Sequence, residues 1–315
     1  MYRLIIFSFI FTLLISCKKD VIIPPVITDP VEQPDTTQLI DYNKDIAIAN
    51  WNIEWFGDGS MFKGNLNDQE TNAGKILKYL NADLYGLCEI VDTARLGRMV
   101  RNSLGDEFRY NVSNYPTFSN AQKLAFVYNR NIFRNVKTRP FMGLSAAAYN
   151  YFAQRFPYLL TADVVVNGSR NTISFFLIHA KANADADSYN RRLNGAIELK
   201  DSLDLYYGGK NFMMLGDFND HLNGSILSGK NSPYISFIND ANYDAVTLPL
   251  NTTGNQSTIN FNNSVIDQQI ISKNMAGWYI GGSAQIRTDV TNVVPDYRTR
   301  NTSDHYPVSS MYRVK

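Results

Sequence analysis

The chain of 315 residues contains only two cysteines, Cys17 and Cys88. If Cys17 is consumed by N-terminal processing, Cys88 is alone and no disulfide can form within the chain. Stability must then come from the hydrophobic core, even if the protein works outside the cytoplasm. Hydrophobic residues make up 44% of the sequence, which is ordinary for a globular protein and sufficient for a core of normal size.

The sequence also lacks a charge excess of either sign. It has 30 basic and 29 acidic residues and a formal net charge of +1. This balance excludes a strongly basic protein of the kind that coats nucleic acid. It leaves room for a local basic groove, because net charge averages over all faces of the molecule.

The apolar run at the N-terminus, Leu4 to Ile15, follows a single basic residue, Arg3. Its length of about a dozen residues is too short for a membrane-spanning helix and fits the core of a signal peptide. The run ends in "LISC", residues 14–17, which resembles the lipobox of bacterial lipoproteins. Residues 1–16 are therefore predicted to be a signal peptide and Cys17 the lipidated residue; the alternative is a plain secretory signal with an accidental cysteine.

The following segment, residues 17–44, contains four prolines among short polar residues. Such a composition favours an extended tether over a folded unit. We expect the folded domain to span residues 45–315, as a monomer held in the bacterial cell envelope by its lipid anchor, on the periplasmic side or at the cell surface.

Helices and strands alternate in the first half of this domain, and hairpins occur as well, so the sequence predicts a mixed sheet. The clearest hairpin has Asn167 and Gly168 in its turn. A helix is predicted over "DSYNRRLNGAIELKDSLDLYY", capped by Asp187 or Ser188. Residues 130–158 read as irregular and aromatic.

Several apolar strands end in polar side chains that could meet at one sheet edge. The candidate positions at strand ends are Asn52, Glu54, Glu89, His179, Asp217, Asn219, Asp267, Asp304 and His305. A single Asn or Asp after a strand is usually only a turn former. All of them together in one chain are hard to ascribe to coincidence.

Histidine is scarce, with three in the chain, and His179 and His305 stand at two of these strand ends. Histidine is the side chain best suited to proton transfer near neutral pH. Carboxylates and amides without cysteine suit a hard cation such as Mg²⁺ or Ca²⁺, with Mn²⁺ as a further possibility. Zinc fits less well, because the histidines are few and scattered.

The motifs "NWNIEW", "GLCEI", "LIHAKA", "GDFND", "VIDQQIIS" and "SDHYPV" together resemble the endonuclease/exonuclease/phosphatase superfamily, typified by deoxyribonuclease I. The resemblance spans residues 46–312 and keeps the order of the family's motifs. It implies an α/β fold, a four-layer α/β/β/α sandwich of two mixed, mostly antiparallel sheets. It also implies a metal-dependent phosphodiesterase.

The resemblance further implies a role for each strand-end residue. Glu89 would hold the metal with Asn52 and Glu54 beside it, and Asp304 would complete the metal or phosphate shell. Asp217 would orient the nucleophile and Asn219 the phosphate or leaving group. His305 would act as a general base or phosphate ligand, and Asp267 would orient it. His179 would be the second histidine, near the leaving oxygen.

The chain departs from the family's pattern at two positions. Cys88 replaces the glutamine that usually precedes the metal-binding glutamate. Gln122 is the nearest match to a glutamate that supports one histidine in deoxyribonuclease I. We expect Gln122 at the substrate, with further contacts from three basic residues: Lys123, Arg191 and Arg192.

Three functions stay open at this stage. The first is a nuclease that hydrolyses DNA or RNA. The second is a phospholipid or sphingomyelin phosphodiesterase of the same superfamily, for which the aromatic stretch of residues 139–158 could supply a membrane contact or simply be core. The third is a catalytically inactive surface-binding protein.

Overall fold

The computed structural model describes residues 42–252, 254–260 and 263–315. The predicted signal peptide, Cys17 and residues 17–41 of the predicted tether lie outside the described residues. Within these ranges the first strand begins at Ile46. No helix in the described ranges combines the length and the apolarity needed to cross a bilayer.

Twelve strands are found in the described residues, and they build two sheets. Their bounds are β1 (Ile46–Phe56), β2 (Leu84–Ile90), β3 (Phe108–Val112), β4 (Lys123–Asn129), β5 (Phe133–Pro140), β6 (Tyr158–Val166), β7 (Ser169–His179), β8 (Phe212–Asp217), β9 (Tyr243–Asp244), β10 (Asp267–Ser272), β11 (Gln285–Ile286) and β12 (Val308–Tyr312). The first sheet has the order β11-β12-β1-β2-β4-β3 and the second β5-β6-β7-β8-β10-β9. The pairs β1–β2 and β7–β8 are parallel and the other pairs are antiparallel, so both sheets are mixed.

Helices cover the outer face of each sheet. Their bounds are α1 (Leu66–Leu80), α2 (Thr93–Leu104), α3 (Ala146–Tyr151), α4 (Ala186–Tyr207) and α5 (Ile235–Ile238). One apolar cluster joins α1 and α2 to the first sheet, a second joins the helices α3–α5 to the second sheet, and a third lies between the two sheets. The predicted four-layer α/β/β/α sandwich is therefore confirmed.

The local predictions fare unevenly. The hairpin of β6 and β7 is confirmed, with positive φ at both Asn167 and Gly168, as a two-residue turn of this type requires. The predicted cap of α4 is wrong, because the helix starts earlier and the side chain of Asp185 accepts from the backbone N–H of Ser188. Residues 130–158 are more regular than predicted, since they contain β5 and α3.

The topology brings the predicted functional positions to one edge of the sandwich. The parallel strands β1 and β2 in one sheet, and β7 and β8 in the other, all end there. Asp267 begins β10 directly opposite Asp217 on β8. The segment that carries His305 enters β12 beside the end of β1.

Gly216, the residue before the end of β8, lets this strand lie close to β7. Its φ is +129°, and a Cβ built on it would lie 2.1 Å from the backbone oxygen of Ile178 on the neighbouring strand. A side chain would push β8 away from β7, just before Asp217 turns into the edge.

We predict that Gly216→Ala lowers the free energy of unfolding by about 3 kcal/mol or more, because it adds backbone strain to a clash with main-chain atoms. The matched control is Gly281→Ala, where an added Cβ meets nothing within 4 Å. Urea denaturation of both variants measures the difference. Equal stability of the two would contradict the packing described for Gly216.

Candidate active site

The side chain of Asn52 links the two sheets at this edge. Its Nδ2 donates to Oε1 of Glu89 on the same sheet and to Oδ2 of Asp217 on the other, each at 3.0 Å. Its Oδ1 accepts from the backbone N–H of Glu54 at 3.0 Å. Asn52 is 2% exposed, so both carboxylates are held in place by a buried amide.

Four residues at this edge hold a left-handed backbone that side chains other than glycine rarely adopt. The φ values are 31° for Glu54, 49° for Trp55, 63° for Glu89 and 51° for Asn219. Hydrogen bonds keep these turns closed: Trp55 N–H donates to Oε2 of Glu89, and Asn219 N–H donates to Oδ1 of Asp217, each at 2.9 Å. Such strain persists only where the surroundings over-determine the conformation, and it clusters at functional sites.

His305 is oriented by a carboxylate. Its Nδ1 lies 2.8 Å from Oδ2 of Asp267, and that oxygen also accepts from the hydroxyl of Ser257 at 2.8 Å. Its Nε2 faces the site, 3.9 Å from Oδ2 of Asp217. The ring is therefore fixed on one side and free to act on the other.

The backbone around His305 is tied to β1 and to the loop before β10. The indole Nε1 of Trp51 donates to the carbonyl of His305 at 2.9 Å, and the hydroxyl of Tyr297 donates to the same oxygen. Ser303 donates to the carbonyl of Asn52 at 2.6 Å. An isolated bridge pairs Thr258 with His305. The segment "SDH" is thus held rigidly over the end of the first sheet.

The two site histidines have opposite electrostatic surroundings. Burial lowers the pKa of His305, but the charges of Asp267 and Asp217 prevail and hold it well above its ordinary value. Burial and the charges of Arg155 and His305 hold the pKa of His179 well below its ordinary value. Near neutral pH the site therefore pairs a cationic imidazole with a neutral one.

His179 lies between the two sheets' carboxylates. Its Nε2 is 3.7 Å from Oε1 of Glu89 and 3.7 Å from Oδ2 of Asp217. Its Nδ1 is buried and finds no hydrogen-bond partner among the described residues. Burial raises the pKa of Asp217 to about 7; the charge of His305 opposes this rise, and the charge of Asp267 adds to it. A carboxylate with such a pKa can exchange a proton near neutral pH.

Three acidic side chains form the rest of the edge, and we call Glu54, Glu89 and Asp304 the acidic cluster. Burial raises the pKa of Glu54, and the charges of Asp304 and Glu89 raise it further. Burial also raises the pKa of Glu89, to which the charge of Asp304 adds. The three carboxylates therefore lie close enough to repel one another, as in a site that takes a cation.

The donor atoms of the acidic cluster fit a hard divalent cation. They are carboxylate oxygens, joined by the amide of Asn52, and Oε2 of Glu54 is buried without a partner in the described ranges. Within the described residues, the acidic and histidine side chains whose ligand atoms all lie within 4.8 Å of one another are instead Asp217, Asp267 and His305. We favour the acidic cluster, because in that trio Oδ2 of Asp267 and Nδ1 of His305 are already paired with each other.

Arg155 was missed by sequence reasoning, and it belongs to the site. Its Nη1 donates to Oε1 of Gln122 at 2.7 Å and its Nη2 to the carbonyl of Ala180 at 3.2 Å, while its buried Nε has no partner among the described residues. Burial lowers its pKa, and the charges of Glu89 and Asp217 oppose this. The only signal in the sequence is an arginine before the apolar strand "YLLTADVVV".

Gln122 accepts from Arg155 through Oε1, and no hydrogen bond joins it to a histidine within the described residues. Its predicted contact with substrate stays a prediction. Lys123 is partly buried at the start of β4, where it pairs in register with Ile90, next to Glu89. Asn219 donates through Nδ2 to the carbonyl of Ala180 at 3.1 Å, so its side chain lies beside Arg155.

The prediction that Arg192 contacts substrate is wrong. Its side chain is fully buried, and its Nε donates to Oδ2 of Asp220 at 2.8 Å. Its Nη1 donates to the carbonyls of Lys181 and Asn183, at 2.7 and 2.8 Å. Arg192 thus ties α4 to the loops that follow β7 and β8. Arg191 lies on the exposed side of the same helix and donates to the carbonyl of Asn150.

A cleft of about 750 Å³ lies next to the segment that carries His305. It is lined by Tyr306, directly after His305, and by residues of the loop 250–256 and of the segment 284–298. Its lining carries charges of both signs, from Arg298 and Asp289. Neither the site histidines nor the acidic cluster lines it.

Comparison with solved structures identifies the class of fold. The catalytic domain of human Nocturnin, solved with a bound sulfate, has a TM-score of 0.59 over 88% of this chain and 97% of its own, with 16% identity. An endonuclease/exonuclease/phosphatase from Bacteroides vulgatus has a TM-score of 0.61 over 87% of this chain and 100% of its own, with 13% identity. A humanized TDP2 from D. rerio has a TM-score of 0.52, with 11% identity over 86% and 99% of the two chains.

These likenesses establish the fold of the endonuclease/exonuclease/phosphatase proteins, two mixed sheets between helices. At such low identity they leave the particular activity undecided. No family model and no curated protein sequence matches the chain.

We predict that Arg192→Ala lowers the free energy of unfolding by about 3–5 kcal/mol, because it leaves the carboxylate of Asp220 buried and unpaired. Arg191→Ala, one residue earlier on the same helix, should change it by no more than about 0.5 kcal/mol. Thermal and urea denaturation of both variants test this. Similar losses in the two would show that burial of the Arg192 pair contributes little.

Proposed function

We propose that this protein is a metal-dependent phosphodiesterase that hydrolyses DNA or RNA by attack of an activated water. The observation that carries the proposal is the arrangement around His305. Asp267 orients its ring, and its free Nε2 lies 3.9 Å from Oδ2 of Asp217 and 3.8 Å from Oδ1 of Asp304. The neutral His179 lies 3.7 Å from both Asp217 and Glu89. In-line attack on a phosphodiester needs a proton acceptor and concentrated positive charge, and this geometry supplies both.

Glu89 and Glu54 would hold the metal, with Asn52 and Asp304 beside them. A bound Mg²⁺ or Mn²⁺ supplies Lewis-acid stabilisation of the negative charge on the phosphate oxygens. Ca²⁺ also fits oxygen donors of this type. Oε2 of Glu54 is buried without a partner within the described residues, so it is available to a cation.

Asp217 is the best candidate to orient the attacking water and accept its proton. Its Oδ1 is occupied by the backbone N–H of Asn219, and its Oδ2 is shared by Asn52 and the two histidines. A pKa near 7 suits a proton acceptor at neutral pH better than the ordinary value of a carboxylate does. His305, which carries its proton, is then better placed to bind and neutralise the phosphate than to act as the base.

The phosphate would meet further donors from Arg155, Asn219 and His179. Nε of Arg155 is buried and has no partner within the described residues, and Asn219 lies beside this arginine. His179 lies 3.7 Å from Glu89 and from Asp217. Burial lowers the pKa of Lys181, and the nearby charges of Arg191 and Arg155 lower it further, while Asp185 opposes them. Arg155 and Lys181 thus add positive charge near the site, which suits an anionic polymer.

Nucleic acid is favoured over lipid by the state of the aromatic stretch 139–158. Phe141, Phe152 and Phe156 are buried in the core under α4. Of the large hydrophobic side chains in the stretch, only Leu144 and Tyr149 are exposed. The apolar hairpin expected of a membrane-docking phosphodiesterase is therefore not formed by this segment. An inactive binding protein is disfavoured, because each predicted catalytic position carries a competent side chain in contact with its neighbours.

We predict that His305→Ala lowers the rate of Mg²⁺-dependent hydrolysis about a thousandfold or more, because both charge stabilisation and the link to Asp267 are lost. The matched control is His221→Gln, which alters the remaining histidine, outside the site and next to Ser264. Initial rates on plasmid DNA, RNA, sphingomyelin vesicles and bis-p-nitrophenyl phosphate measure both activity and substrate class.

Chelation should abolish the activity and added Mg²⁺ or Mn²⁺ restore it.

A His305→Ala variant with the rate of the control would refute the mechanism. Rapid hydrolysis of vesicles with intact DNA and RNA would transfer the protein to the lipid branch, and no hydrolysis of any substrate would favour the inactive binding protein.

We also propose that the mature chain is anchored to a bacterial membrane through lipidated Cys17 and acts as a monomer. The support is the sequence "LISC" after a short apolar run. Labelling of cells with a radioactive fatty acid should mark the wild type and leave Cys17→Ser unmarked. Unlabelled wild-type protein released into the medium would overturn the anchor.

A further inference from the structure

Arg300 is a cation that already contacts the acidic cluster. Its Nη2 is paired with Oε1 of Glu54 and lies 3.5 Å from Oδ2 of Asp304. The side chain of Arg300 is 43% exposed, whereas that of Glu54 is 8% exposed. The guanidinium therefore approaches the buried carboxylate from the solvent side.

The backbone holds Arg300 in this place. It has a left-handed φ of 60° at the end of a short 3₁₀ helix, Tyr297–Thr299, and its N–H donates to the carbonyl of Tyr297 at 3.0 Å. The same Tyr297 binds the carbonyl of His305. The turn that positions the catalytic histidine thus also positions this arginine.

Glu54 can serve two cations, and its two oxygens are unequally occupied. Arg300 takes Oε1, while Oε2 is buried without a partner among the described residues. A divalent metal on the acidic cluster would share one carboxylate with the guanidinium. Two cations on one carboxylate repel each other, so each weakens the binding of the other.

We propose that Arg300 is a resident counter-cation that competes with the divalent metal for Glu54 and so sets the metal affinity of the site. The proposal rests on the proposed function only in taking the acidic cluster as the metal site. Arg300 pairs with Glu54 when metal is absent and lowers the affinity of the acidic cluster for metal when metal is present.

Calorimetric titration of the purified protein with Mn²⁺, in the absence of any substrate, tests this. Arg300→Gln should bind Mn²⁺ about tenfold more tightly than the wild type at low salt, because the competing charge is gone. Arg300→Lys, which keeps the charge, should stay within about twofold of the wild type. Arg298→Gln, an exposed arginine two residues earlier, is the matched control and should also bind as the wild type does.

Two further measurements separate competition from a merely structural role. The gain in Arg300→Gln should shrink at high salt, because exposed charges are screened. It should vanish in the Glu54→Gln background, because the shared carboxylate is then absent. Unchanged or weaker Mn²⁺ binding by Arg300→Gln would overturn the proposal and show that Arg300 only orients Glu54.

The outcome is independent of catalysis. Wild-type protein that binds Mn²⁺ but hydrolyses no phosphodiester would refute the proposed function and leave the role of Arg300 standing. An active enzyme whose Arg300→Gln variant gains no affinity would do the reverse. If neither the wild type nor Arg300→Gln binds Mn²⁺, the acidic cluster is not the metal site and the role of Arg300 is refuted.

Discussion

The buried amide of Asn52 is the contact on which the rest of the site depends. Each sheet alone brings a carboxylate to the edge, and the two become one site only because a single NH₂ group donates to both, Glu89 on one side and Asp217 on the other. A second buried amide, Asn50, continues the seam by donating to the carbonyl of Gly216 and accepting from Gln269. Buried hydrogen bonds between polar groups rigidify an interface when every member has a partner. The position of the chemistry is thus set by the packing of two sheets face to face.

Much of the fold and site could be predicted from the sequence, because the relevant signals are local. The apolar runs predict the strands. The carboxylates and amides that follow them indicate the sheet edge at which the strands end. The hairpin at Asn167 follows from the same kind of signal. The start of α4 was predicted less accurately, because Asp, Ser and Asn all cap helices well. The observed cap is Asp185, two residues before the predicted Asp187.

What could not be predicted depends on contacts between residues distant in sequence. Arg155 is a lone arginine in an aromatic stretch, and only the fold brings it within hydrogen-bond distance of Gln122. Arg191 and Arg192 are neighbours with opposite fates, because the turn of a helix places one toward solvent and the other toward Asp220. Net charge and spacing carry no information about such partners. From the sequence alone, an arginine that is buried against an acidic side chain cannot be told from one on the protein surface.

The buried carboxylates at this edge interact electrostatically with one another and with nearby cations. The edge gathers the acidic cluster, Asp217 and Asp267, and burial makes each of their charges costly unless a cation is near. The protein supplies cations at different depths: the imidazolium of His305 beside Asp267, the buried guanidinium of Arg155 beside Gln122, and the half-exposed guanidinium of Arg300. Two carboxylate oxygens of these residues are buried without a partner within the described residues, Oε2 of Glu54 and Oδ1 of Asp267. The cations of the chain therefore leave part of the buried negative charge unpaired, and a divalent cation bound at the proposed metal site would offset the repulsion within the acidic cluster.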